Sequence, residues 1–81
     1  MLIKIQPLTF PILGIATQIN YNLHDNAQDR CDIIYQFLNS DNNVIVSDNC
    51  KIDGTDYTTW DNTNAWAENF MLTKLGCTKI S

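Results

Sequence analysis

His24 and Asp25 stand side by side in "NLHD", and a histidine next to a carboxylate is the smallest unit of general acid–base chemistry. His24 is the chain's one histidine, so chemistry that needs two is closed to it. The pair falls at the end of an alternating stretch, where adjacent side chains point to opposite faces of a strand, so His24 reads as a surface residue near a loop. Cys31, Cys50 and Cys77 are candidate nucleophiles, but no spacing brings any of them to His24. Oxygen ligands are plentiful: Asp48, Asp53 and Asp56 in "DNCKIDGTD", then Asp61, Asn62 and Asn64 in "DNTN". Calcium would use such atoms, yet no glutamate arrives where an EF-hand loop closes, and turn and cap roles explain the same residues. The cysteines lack zinc spacing, and Gly14, Gly54 and Gly76 are isolated, which leaves no phosphate-binding loop and no nucleophile elbow. The expectation is therefore no catalytic residue, no cofactor and no metal.

Composition points the same way. Eighty-one residues suffice for one small domain and are too few for two. A core this small gives modest stability, which makes a partner or a homo-oligomer physically attractive. The hydrophobic share of 44% is that of a globular chain, while charged residues reach only 17% and amides carry much of the polar load. Amide-rich surface costs less to desolvate in a contact than surface rich in Lys and Glu. The net charge is −4 and the five basic residues are scattered, so direct nucleic-acid binding is not expected. No apolar run reaches membrane-spanning length, and no membrane association is expected. The opening "MLIKIQPLTFPILGIATQ" lacks a basic n-region and is broken by Pro7 and Pro11, so it reads as part of the fold. An odd number of cysteines suggests free thiols in a reducing compartment, with a Cys31–Cys50 bridge left open because both fall on neighbouring strands.

The elements that must position these residues follow from periodicity. Residues 2–6 alternate as an opening strand, and "PLTFPILG" predicts irregular chain or an edge. Residues 16–24 alternate cleanly, with Thr17, Ile19, Tyr21 and Leu23 on one face and Gln18, Asn20 and Asn22 on the other. Residues 31–39 and 44–52 form a hairpin around "SDNN", with Cys31, Ile33, Tyr35 and Phe37 on its more apolar face. A short helix over residues 55–60 is capped by Thr55. A longer one follows, started by Asp61, Asn62 or Thr63 and closed by Gly76 in the left-handed conformation. The fold class is α+β: a small antiparallel sheet of about four strands, with one or two C-terminal helices packed on one face.

The aromatic-rich "YTTWDNTNAWAENF" divides by helical spacing. Trp66, Ala67, Phe70, Met71 and Lys74 or Leu75 follow the spacing of an apolar stripe, of which Trp66 and Phe70, four apart, read as the part that roofs the sheet, with Glu68, Asn69, Thr73 and Lys74 on the outer face. Tyr57 and Trp60, on the preceding short helix, are the aromatics left for a partner. Leu8, Phe10, Ile12 and Leu13 complete the interface candidates, because a domain this small has little capacity to bury them alone. The edge of residues 2–6 is a further place for a partner's strand.

The order of hairpin, acidic Tyr- and Trp-bearing short helix, and helix ending in Leu-Gly resembles a group of small virion-associated proteins of tailed bacteriophages, including crAss-like phages. The matching positions are Tyr35, Gln36 and Leu38, then Tyr57, Trp60, Asp61, Leu75 and Gly76, within residues 31–76. Asn takes the place of the usual turn Gly, and the cysteines lie outside the pattern. The resemblance implies a non-enzymatic virion structural protein. The expected role is an auxiliary or minor capsid component, located in the virion and binding the major capsid protein or neighbouring virion subunits. The alternative is a small intracellular phage protein that binds and inhibits a host protein.

Overall fold

The computed structural model describes residues 1–80. Four strands, β1 (Leu2–Phe10), β2 (Gly14–Asp25), β3 (Arg30–Leu38) and β4 (Val44–Asp53), precede two helices, α1 (Gly54–Thr59) and α2 (Asn64–Leu75). The strands form one antiparallel meander in the order β1-β2-β3-β4. The α+β architecture expected from the sequence is the one observed.

Alternation sets the register. Ile3, Ile19, Phe37 and Val46 form one cross-strand row, and Leu23, Ile33 and Cys50 another. Most of the buried set lies on this face, with Ile19, Tyr21, Cys31, Ile33 and Ile52 at 0–1% exposure. The β2–β3 and β3–β4 connections are polar, and their own side chains satisfy their backbones. Asn26 Oδ1 accepts from the N–H groups of Gln28, Asp29 and Arg30 at 2.9–3.1 Å. Asn39 Oδ1 accepts from Asp41 and Asn43 at 2.9 and 3.0 Å, and Asn42 takes a positive φ of 65° that asparagine tolerates.

"PLTF" is strand, contrary to the irregular reading and in agreement with the edge reading. Pro7 has no N–H for the ladder, and here the pairing shifts. Ile5, Gln6 and Pro7 of β1 together oppose Thr17 of β2, and pairing resumes at Leu8↔Ala16. The edge of residues 2–6 is occupied in part by the chain itself. Gln6 N–H donates to the Thr78 carbonyl at 2.8 Å and Ile80 N–H to the Lys4 carbonyl at 2.9 Å, around an antiparallel bridge between Ile5 and Lys79. At the other edge, Asp48 Oδ1 accepts from the N–H of Asn49 at 2.8 Å. A charged side chain thus takes up a donor that another chain would otherwise use.

The helical segment corrects the sequence reading in three ways. First, Asp53 and not Thr55 stands at the N-cap of α1, and its side chain makes no cap bond. Second, Trp60 is core: it is 8% exposed, and its indole N–H donates to the Thr63 carbonyl at 3.0 Å. It therefore leaves the set of partner-facing aromatics. Third, α2 is rotated within its expected apolar stripe. Ala67 and Met71 are buried as expected, together with Leu72, whereas Trp66 and Phe70 are half-buried at its flank. Glu68, expected outside, turns inward: Tyr21 Oη donates to its Oε1 at 2.8 Å and Lys79 Nζ to its Oε2 at 2.8 Å. The ends of α2 follow expectation. Thr63 Oγ1 accepts from the Trp66 N–H at 3.2 Å, and Gly76 closes the helix at φ 70°, ψ 30°.

The rotation has a direct consequence for stability. Trp60→Ala is expected to cost about 3–5 kcal/mol, the range for truncating a buried large aromatic, and Trp66→Ala less than half of that. Urea denaturation of the two variants measures the difference. The Tyr21 phenol has its pKa pushed up, first by burial and then by its bond to the Glu68 carboxylate. A proton held more tightly in the folded state stabilises fully below the ordinary phenol value of 10.0 and loses that effect as the pH rises beyond it. Tyr21→Phe is therefore expected to flatten the fall in stability above about pH 10 without removing it, since the pKa values of Tyr35 and Tyr57 are raised too. Melting temperatures across the alkaline range read this out.

Candidate interaction surface

His24 and Asp25 point to opposite faces of β2, and among the described residues no thiol is hydrogen-bonded to the His24 side chain. His24 pairs with Asp32 across the sheet and is exposed, while Asp25 pairs with Cys31 and receives the Tyr57 hydroxyl at 2.8 Å. All three cysteines are free thiols, so the Cys31–Cys50 bridge is not formed. Burial pushes each of them up, Cys50 to about 11, so they stay protonated and weakly nucleophilic near neutrality. Among the described residues no group of three His, Cys, Asp or Glu side chains comes together in a way that would hold a metal ion. Asp61, one of the proposed oxygen ligands, is engaged by its own loop. It accepts from the Thr63 hydroxyl at 2.6 Å and from the Thr63 N–H at 3.0 Å, and these bonds lower its pKa.

Among the described residues Met1, Leu2, Ile34, Val44 and Ile80 are exposed apolar side chains, and two further apolar groups stand outside the core. The first is the β1–β2 turn. Phe10 and Gly14 close the pair, and the Leu13 N–H donates to the Phe10 carbonyl at 3.2 Å. Pro11 suits the second position of this turn, and the third requires a positive φ. Ile12 fills that third position at φ 74°. A β-branched residue there is strained, and glycine or asparagine would be relaxed. The strain is not compensated by burial, because Ile12 is fully exposed at 105%, with Leu13 and Ile15 also more than half exposed beside it. The four interface candidates of this segment therefore separate. Ile12 and Leu13 project from the tip, whereas Leu8 and Phe10 are partly buried against the core, Phe10 with its ring 4.9 Å from that of Phe37.

The second surface is the outer flank of α2. Trp66 and Phe70 stack with centroids 5.5 Å apart and planes 14° from parallel, and Lys74 Nζ stands 5.4 Å from the centre of the Phe70 ring. Together with Asn69 and Thr73 they line a shallow groove. Sequence spacing identified these aromatics and assigned them to the core. Tyr57, the remaining candidate, is half-buried, its ring 5.9 Å from that of Trp60 and its hydroxyl committed to Asp25. The signal that singles out Ile12 was present in the sequence as "PILG". Proline followed by isoleucine places the branched residue where a type II turn wants glycine.

No protein-family model, curated protein or solved structure matches the chain.

Ile12→Asn removes a branched side chain from the left-handed region and replaces it with the residue that tolerates it best. It is expected to stabilise the fold by about 1 kcal/mol. A gain in chemical-denaturation midpoint checks this, and a loss would show that the Ile12 side chain contributes more to the isolated chain than its exposure implies.

Proposed function

We propose that this chain is a non-enzymatic assembly subunit that docks on a larger protein through the β1–β2 hairpin tip. The carrying observation is Ile12, a strained, branched, apolar side chain held fully in solvent. Folding alone would favour Asn or Gly at this position, and an aqueous surface would favour a polar residue. A contact in which Ile12 and Leu13 are buried supplies a reason for both departures. At about 25 cal/mol per Å² of apolar area removed from water, burying the two side chains supplies on the order of 3–5 kcal/mol to an interface.

The setting of that assembly comes from the resemblance to small virion-associated proteins of tailed phages. The reading is an auxiliary or minor capsid component, with the major capsid protein or neighbouring virion subunits as its partner. The sparsely charged, amide-rich surface supports a chain that functions inside an assembly. Mass spectrometry of purified virions of the encoding phage is expected to find the protein in multiple copies. Incorporation of the Ile12→Asp variant is expected to fall at least about tenfold, the scale of a lost interface anchor, while its melting temperature stays near that of the parent. Absence of the parent chain from particles overturns the virion reading, and undiminished incorporation of Ile12→Asp overturns the hairpin tip as the docking element.

A further inference from the structure

The edge of β1 is closed by a light contact. The backbone groups of Met1 turn toward Tyr21 of β2, so by alternation those of Leu2, Lys4 and Gln6 face outward. The C-terminal tail takes up the Gln6 N–H and the Lys4 carbonyl. None of Thr78, Lys79 and Ile80 is buried, and Ile80 is more than half exposed. Beyond its backbone bonds the segment is fastened by Lys79 Nζ on Glu68 Oε2. A segment with so little burial opens at low cost.

We propose that this edge is a docking site for an extended, basic segment of a partner protein, which pairs antiparallel to β1 and displaces residues 78–80. The proposal is independent of the virion reading and of the hairpin tip.

The tail is the occupant seen in the structure, and it defines what fits. Its backbone shows that an extended chain meets the Lys4 and Gln6 groups in register. The outward groups of Leu2 have no partner among the described residues. A segment that continues past the place of Ile80 reaches them, and so makes the tail's bonds and adds to them. Side chains set the specificity. Lys79 stands opposite Ile5, on the face that α2 covers, and there meets the Glu68 carboxylate, whose side chain is 13% exposed. With the tail displaced, Glu68 keeps the Tyr21 proton on Oε1, but Oε2 loses its cation. A lysine or arginine of the incoming segment restores that pair, whereas an acidic residue would be repelled. Two residues further on, the same face lies opposite the buried Ile3 and takes an apolar side chain. The position between them points to the open face of the sheet and is unrestricted. The recognised pattern is therefore basic, any, apolar, and the net charge of −4 favours the approach of such a segment. The tail keeps the edge closed until a matching segment arrives.

NMR titration of the full chain with the peptide acetyl-Thr-Lys-Thr-Val-Thr-amide tests this. Its residues would stand opposite Gln6 through Leu2, with Lys beside Glu68 and Val opposite Ile3. Ile80→Pro loosens the tail by removing the N–H that bonds the Lys4 carbonyl. The peptide is expected to shift the backbone amides of Lys4 and Gln6 in this variant at about 1 mM, and in the parent only at about tenfold higher concentration, because the tail competes. The peptide with Glu in place of Lys is expected to bind the variant at least about tenfold more weakly. Ile12→Asn is expected to leave the titration unchanged, which separates this edge from the hairpin tip. Circular dichroism confirms folding, and if Ile80→Pro does not fold, Lys79→Ala takes its place as the loosened variant. Absence of shifts at the β1 amides of a folded, loosened variant up to about 10 mM overturns the proposal. So does equal binding by the parent and the loosened variant, or equal binding of the Lys and Glu peptides.

Discussion

The two oxygens of the Glu68 carboxylate tie together three parts of the chain that would otherwise be free to move past one another. Oε1 takes the phenolic proton of Tyr21 from the centre of the sheet, and Oε2 takes the ammonium of Lys79 from the C-terminal tail. A helix lying on a sheet through apolar contacts alone is weakly specified in rotation, because hydrophobic burial has no direction. A hydrogen bond to a largely buried carboxylate has one. With Glu68 over Tyr21, Ala67 and Met71 face the strands and Trp66 and Phe70 turn to the flank. The same residue holds the tail against β1, whose edge the backbone of residues 78–80 then covers. One carboxylate therefore determines which aromatic surface faces outward and keeps one sheet edge closed.

Both edges of the sheet are treated in ways that limit pairing with another chain. The β1 edge has a proline, a shifted register and the tail, and the β4 edge has Asp48 on a backbone donor with Asn49 and Lys51 exposed beside it. Against that background, Ile12 and Leu13 at the hairpin tip remain exposed. Edge-to-edge addition is open-ended and prone to aggregation, whereas a tip or a helix flank presents a bounded patch with a defined geometry.

The sheet was legible in the sequence because a two-residue alternation leaves little freedom. Once Ile19 and Tyr21 are buried, the faces of β2 follow, and the "SDNN" turn fixes the pairing of β3 with β4. The caps of α2 were legible for the same reason: Thr63 and Gly76 act locally, through bonds within one turn. The orientation of α2 was not. Trp66, Ala67, Phe70 and Met71 make two adjacent apolar columns, and helical spacing alone cannot say which one meets the sheet. The choice depends on Glu68 reaching Tyr21, a contact 47 residues distant in sequence, and on Trp60 filling core space that Trp66 would otherwise take. The tail across β1 was hidden likewise, since "TKIS" carries no pattern of its own and pairs through its backbone. The interface candidates divided along this line: Ile12 and Leu13 rest on local turn chemistry and stayed outside, while Trp60 rested on the orientation of the helices and went into the core.

The size of the domain gives these exposures their physical meaning. A chain of 81 residues buries a smaller fraction of its surface than a larger one, and its net stability is a few kcal/mol left between large opposing terms. Strain at Ile12 of about 1–3 kcal/mol is a substantial part of such a margin. It is tolerable in isolation only because the hairpin is anchored by Phe10 against Phe37 and by Ala16 in the core. Any partner that binds the folded chain and not the unfolded one adds to that margin by mass action, whichever surface it uses. Apolar residues kept outside the core then have a thermodynamic role that a self-sufficient domain would not need: they move part of the stabilising contact from within the chain to the assembly that takes it up.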